Sequence, residues 1–183
     1  MRGAVIRAGD FYGSGSGNWF DQAIAKGIAK GIAKGRLAYP GPLDVPHAWA
    51  YLPDLARAFV AVADRRQGPA FRAWHFGGHT LTGAQLLRGL EEAAAGLGLK
   101  PAGGWRHAGM PWGVIRAVGT VYPLWRELAR MRYLWQVPHA LDGRELALLA
   151  GPQAATPIAT ALRAALVALG HGAAATPKLA SAA

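Results

Sequence analysis

An α/β chain with a helix-rich C-terminal half is predicted by three observations. Up to about residue 100, short apolar runs of strand length alternate with stretches of helical period, each closed by glycine or proline. After Pro101 the strand-like runs stop and amphipathic stretches take over. Of the 183 residues 52% are apolar, enough for one core and short for two comfortable ones. A single domain over residues 3–170 is therefore expected, with an alanine-rich tail at 171–183 that lacks any apolar period.

The elements follow in order. Residues 4–8 form an apolar run interrupted by Arg7, expected as a central strand whose last residues reach a cleft. Glycines at 13, 15 and 17 make a turn, and Asn18 is a candidate N-cap for a helix. In that helix Ile-Ala-Lys-Gly occurs three times over residues 24–35, which stripes Ile24, Ile28 and Ile32 on one side and Lys26, Lys30 and Lys34 on another. Each internal glycine costs about 1 kcal/mol relative to alanine, so this helix depends on packing. Residues 36–39 read as a strand closed by Pro40-Gly41-Pro42, and residues 47–52 as a further extended piece.

Pro53 suits the first helical position and Asp54 the electropositive first turn of a helix reaching Arg66, with Leu55, Phe59, Val60 and Ala63 at helical spacing. Residues 71–76 are a strand ended by Gly77-Gly78. Thr82 and Gln85 have capping-box spacing and open a helix bearing Leu86, Leu87 and Leu90, which stops at Gly96 or Gly98. A linker between two domains would be residues 101–109 at best, and shared packing of the two parts is expected rather than independence. Helices are expected over 111–121 and 124–137, separated by Pro123, and from Pro157, behind Thr156, to Leu169. Trp105, Trp112, Trp125 and Trp135 are expected to cover the core of this half or to rim a hydrophobic mouth.

Composition narrows the function classes. The chain has no cysteine, so disulfides and thiolate metal sites are excluded, and a cytoplasmic location is expected. No signal peptide is visible at the start, and arginines interrupt every long apolar stretch, so no membrane partner is expected. The formal charge of +10 invites a nucleic-acid reading, but it is spread along the chain, and the densest group, Arg126, Arg130 and Arg132, sits beside Glu127. No nucleic-acid partner is expected. His75 and His79 lie four apart without a third ligand nearby, so no metal site is expected. The glycines of 13–17 fail both phosphate-binding patterns: the dinucleotide fingerprint would need glycine where Asn18 stands, and no Gly-Lys pair exists for a Walker-type loop.

One resemblance is specific. "VIRAGDFYG", followed by "NWFDQ", "RLAYPGPLDVPHAWAYLPDLARAFVAVAD" and "LTGAQLL", resembles the second half of an NAD-dependent epimerase/dehydratase, an extended short-chain dehydrogenase/reductase, over residues 3–165. The resemblance implies a partial Rossmann-like sheet made of that fold's C-terminal strands, with a helix-rich C-terminal lobe. It implies hydride transfer at a carbonyl or hydroxyl carbon with NAD or NADP. Family members carry a glycine fingerprint near the N-terminus and a Tyr-x-x-x-Lys pair in which lysine tunes the tyrosine for proton transfer. Neither is here: four residues beyond Tyr12, Tyr39, Tyr51, Tyr122 and Tyr133 stand Ser16, Leu43, Leu55, Arg126 and Val137. No catalytic residue is therefore expected in this chain, which is expected to be a C-terminal portion lacking the cofactor's adenine and pyrophosphate sites.

What remains on the resemblance is the substrate side. Ile6 and Ala8 would pass the nicotinamide end of the cofactor. Arg7, Asp10, Tyr12, His47 and Trp49 would face a small-molecule substrate. For Arg7 and Asp10 the alternative is pairing with each other or with loop backbone, for Tyr12 packing, for His47 a structural role. At His47 the nucleotide-sugar members usually have an arginine that holds a diphosphate; histidine with Trp49 nearby grips phosphate less well, which argues against such substrates. The competing class is a non-catalytic interaction module that pairs through its sheet edge with a missing N-terminal half or another chain.

Overall fold

The computed structural model describes residues 3–13, 35–65, 69–151 and 155–171. The turn beyond Gly13, the helix with the Ile-Ala-Lys-Gly repeat and the alanine-rich end from 172 lie outside the described residues. The strands are β1 (Gly3–Arg7), β2 (Asp10–Tyr12), β3 (Arg36–Tyr39), β4 (Pro46–Tyr51), β5 (Phe71–His75), β6 (His79–Thr82) and β7 (Arg106–Gly109). The helices are α1 (Leu52–Ala63), α2 (Gly83–Gly96), α3 (Trp112–Gly119), α4 (Pro123–Arg130), α5 (Arg144–Ala150) and α6 (Ile158–Ala168), with a 3₁₀ turn at Met131–Trp135 following α4. None of these helices is long and apolar enough to cross a membrane.

Among the described residues the strands form three small sheets: β1 with β5, β2-β4-β6, and β3 with β7. All pairs are parallel except β4 with β6. This is a mixed α/β fold, as the sequence pattern predicts. Strand β4 is its middle: every residue from His47 to Tyr51 is buried. Trp49 and Tyr51 enter a cluster with Tyr12, Leu86, Leu87, Leu90, Leu162 and Leu166, built by α2 and α6. Ala50, on the other face of the strand, enters a second cluster with Leu55, Ala58, Trp74, Phe76 and Leu146, built by α1, β5 and α5.

Four expectations are corrected. Strand β1 is an edge strand with β5 as its one neighbour among the described residues, and most of it is exposed. Residues 106–109 are not linker: they pair as β7 with β3, in register Arg36 to Arg106 through Tyr39 to Gly109. Pro123 opens α4 rather than separating helices, because the missing N–H costs nothing in a first turn. Residues 79–82 form β6 ahead of the Thr82 cap, and Gly78, at φ +51°, makes the reversal from β5. A side chain on Gly78 would strike the Trp49 carbonyl. The Thr82 capping box forms as predicted, with Gln85 N–H donating to Thr82 Oγ1 at 3.2 Å and Thr82 N–H to Gln85 Oε1 at 2.9 Å.

Candidate functional site

Strand β1 runs through Ala8 and Gly9 into β2, which places Asp10 opposite Trp49 in the β2–β4 register. His47, two residues back on β4, donates from Nε2 to Asp10 Oδ2 at 2.7 Å. The two differ sharply in exposure: the His47 side chain is 5% exposed and that of Asp10 37%. The His47 ring is stacked on Trp135 at 4.2 Å between centroids and 14° between planes, and it meets Trp49 edge-on at 5.3 Å. His139 closes the group at 5.4 Å, its N–H bonded to the Pro46 carbonyl. His47 Nδ1 is buried without a hydrogen-bond partner among the described residues. So this corner offers solvent a carboxylate edge, while its imidazole is sealed under tryptophan.

Tyr12 starts a second network. Its hydroxyl lies 2.8 Å from His79 Nδ1, and His79 Nε2 lies 2.9 Å from the Thr156 carbonyl. A carbonyl only accepts, so Nε2 carries the proton, and in the neutral ring Nδ1 accepts from the Tyr12 hydroxyl. Thr156 continues the chain, donating from its N–H and Oγ1 to the Asp54 carboxylate at 2.7 and 2.6 Å. Arg57 Nη2 adds a third donor to Asp54 at 2.5 Å. Burial, with the Asp54 charge adding to it, pushes the Tyr12 phenol well above the ordinary tyrosine range. A phenol so held is a structural donor and no proton acceptor.

The seven residues named from sequence thus divide. Asp10 and His47 come together. Tyr12 and Trp49 are fully buried in the first cluster, where Tyr12 packs edge-on to Trp49 at 6.5 Å. Arg7 is exposed, and its backbone carbonyl accepts from Phe76 N–H; it does not pair with Asp10. Ile6 and Ala8 are partly buried against the second cluster. A pocket of about 340 Å³ lies elsewhere, between α1, α5 and the β5–β6 link, with Asp54, Arg57, Phe76, His79, Arg144 and Leu146 in its wall. None of the seven lines it. His79, Thr156 and Trp135 were missed in these roles, because their partners stand 67 to 102 residues away for the first two and nothing local marks them. Trp105 and Trp112 pack against the first core cluster and Trp135 lies within it, whereas Trp125 is exposed.

No family model matches the chain, and no curated protein matches it. Solved structures do. The UDP-glucuronic acid 4-epimerase of Bacillus cereus, in complex with NAD, matches at TM-score 0.59 and 15% identity, over 91% of this chain and 44% of the enzyme. An NAD-dependent NDP-hexosamine 5,6-dehydratase of tunicamycin biosynthesis matches at 0.56 and 15%, over 91% and 45%. A human epimerase family protein with NADPH matches at 0.58 and 16%, over 90% and 48%. The chain spans less than half the length of each, and at this identity the likeness is one of fold: over nearly all its length, the chain has the fold of part of an NAD-dependent epimerase or dehydratase.

Proposed function

We propose that this chain supplies the substrate side of an NAD(P)-dependent epimerase, dehydratase or reductase that transfers hydride at a carbonyl or hydroxyl carbon. The observation that carries the reading is the Asp10–His47 pair between the start of β2 and β4, in a chain whose fold likeness covers nearly all of itself and under half of such enzymes. Asp10 Oδ2 is held by His47, so the exposed carboxylate edge is oriented to accept hydrogen bonds from a substrate hydroxyl or amine. His47, sealed beneath Trp135, offers a phosphate little grip, which favours a hydroxylated small molecule over a nucleotide sugar.

The chain lacks the glycine fingerprint that holds a dinucleotide's pyrophosphate, and Ile6 and Ala8, partly buried against the second cluster, would meet at most its nicotinamide end. With Tyr12 locked as a donor, no residue here is assigned the general base, and the hydride step belongs to the enzyme as a whole. Titration of the purified chain with NADH and NADPH, followed by nucleotide fluorescence, tests this: no saturable binding tighter than tens of micromolar is expected, and tighter binding would contradict it. A second reading, a non-catalytic module that pairs through its sheet, is favoured by the edge of β1 that no described strand covers.

A further inference from the structure

Helix α4 breaks a rule of globular packing. Its sequence, PLWRELAR, sets Leu124, Trp125 and Leu128 on one side and Arg126, Glu127 and Arg130 on the other, yet it has no buried residue. Leu124 is 79% exposed. Among the described residues the helix packs on α3, where Gly119 lets the Arg126 backbone approach, and on the 3₁₀ turn that follows it. Exposure continues on both sides of the helix: Val114, Val121 and Tyr122 before it and Met131, Tyr133 and Val137 after it present apolar surface, while Ile115 of α3 is buried. A helix normally turns such a stripe to its own core, so this one is shaped for an outside surface.

Charge and aromatic content specify that surface. Residues 110–137 contain four arginines and a single acidic residue, Glu127, which Arg130 holds at 2.9 Å and Arg126 at 3.5 Å. Arg116 and Arg132 have no acidic partner among the described residues, and the whole chain is formally +10. Trp125, Tyr122 and Tyr133 are residue types that settle at a bilayer's headgroup level, with ring in the apolar zone and polar tip in the wet one. We propose that the α3–α4 hairpin docks the protein on an anionic phospholipid surface, with the Leu124–Trp125–Leu128 stripe at the acyl boundary and the arginines among the headgroups. This is surface attachment, and it stands apart from the substrate reading.

The test is co-sedimentation of the full chain with vesicles of phosphatidylcholine alone and of phosphatidylcholine mixed with phosphatidylglycerol. Binding is expected to the anionic vesicles, to weaken with added salt, and to fall roughly tenfold or more in the double variant Leu124→Asp, Trp125→Ala. Both positions are exposed, so circular dichroism should match the parent. Phe59→Asp and Val60→Asp, equally exposed on α1, should leave vesicle binding unchanged. The proposal is overturned if the anionic vesicles are not bound, if the double variant binds as well as the parent, or if neutral vesicles bind equally; loss of a dimer in Leu124→Asp, seen by sedimentation, would give the stripe to a second copy instead.

Discussion

Asp54 opens α1 in the position where sequence reasoning reads a favourable first-turn charge, but its main role is to tie α1 to a segment 102 residues away. A buried carboxylate is tolerated because Thr156 N–H, Thr156 Oγ1 and Arg57 converge on it. Asp54→Ala strands those donors and is expected to cost about 3 kcal/mol in urea unfolding, whereas Arg57→Ala, at a half-exposed side chain, should cost about 1 kcal/mol or less. The tyrosines give a pH signature. Burial pushes the Tyr12 and Tyr39 phenols well above their unfolded value, with Asp54 and Asp10 respectively adding to it. The folded chain therefore keeps their protons where the unfolded chain loses them. Their contribution is complete below about pH 10 and declines above it, by about 1.4 kcal/mol per pH unit for each group. In unfolding curves taken across that range, Tyr39→Phe should flatten the alkaline decline by about that slope. At this scale Asp10 and His47 were legible as strand-end polar groups, but their pairing spans 37 residues and only the fold reveals it.

Where an element is fixed by neighbours in sequence, it could be read. The Thr82–Gln85 box is local, and both of its reciprocal bonds form; Thr82→Ala is expected to lower stability by about 1 kcal/mol, read from the denaturation midpoint. Strand β7 could not be read, since Arg-His-Ala-Gly contains no β-branched residue and no Phe, Tyr or Trp, and exists as a strand by pairing with β3. Thr156 misleads for a related reason: its hydroxyl serves Asp54, and α6 starts after Pro157 without a side-chain cap. Helix α5 escaped notice because it is short, with its start marked only by Asp142 accepting the Arg144 N–H. The bidentate contact with Arg144 then pulls the Asp142 carboxyl down to about 2.

For the molecule as a whole, we propose that its sheet is part of a larger one, with β1 at the seam. The chain is similar over nine-tenths of its length to solved structures of which it covers less than half, and among the described residues β1 pairs on one side alone. Gly3 N–H donates to the Ala70 carbonyl and the Arg7 carbonyl accepts from Phe76, so by the alternation of a strand Val5 also faces β5, while Ala4 and Ile6 turn their N–H groups to the open edge. Such an edge is a template for another strand. Residue-resolved hydrogen exchange of the purified chain measures this directly. Ala4 and Ile6 amides should exchange at close to free-chain rates while Val5 is protected; protection of all three alike would mean the edge is already covered within this chain, and the claim would fail.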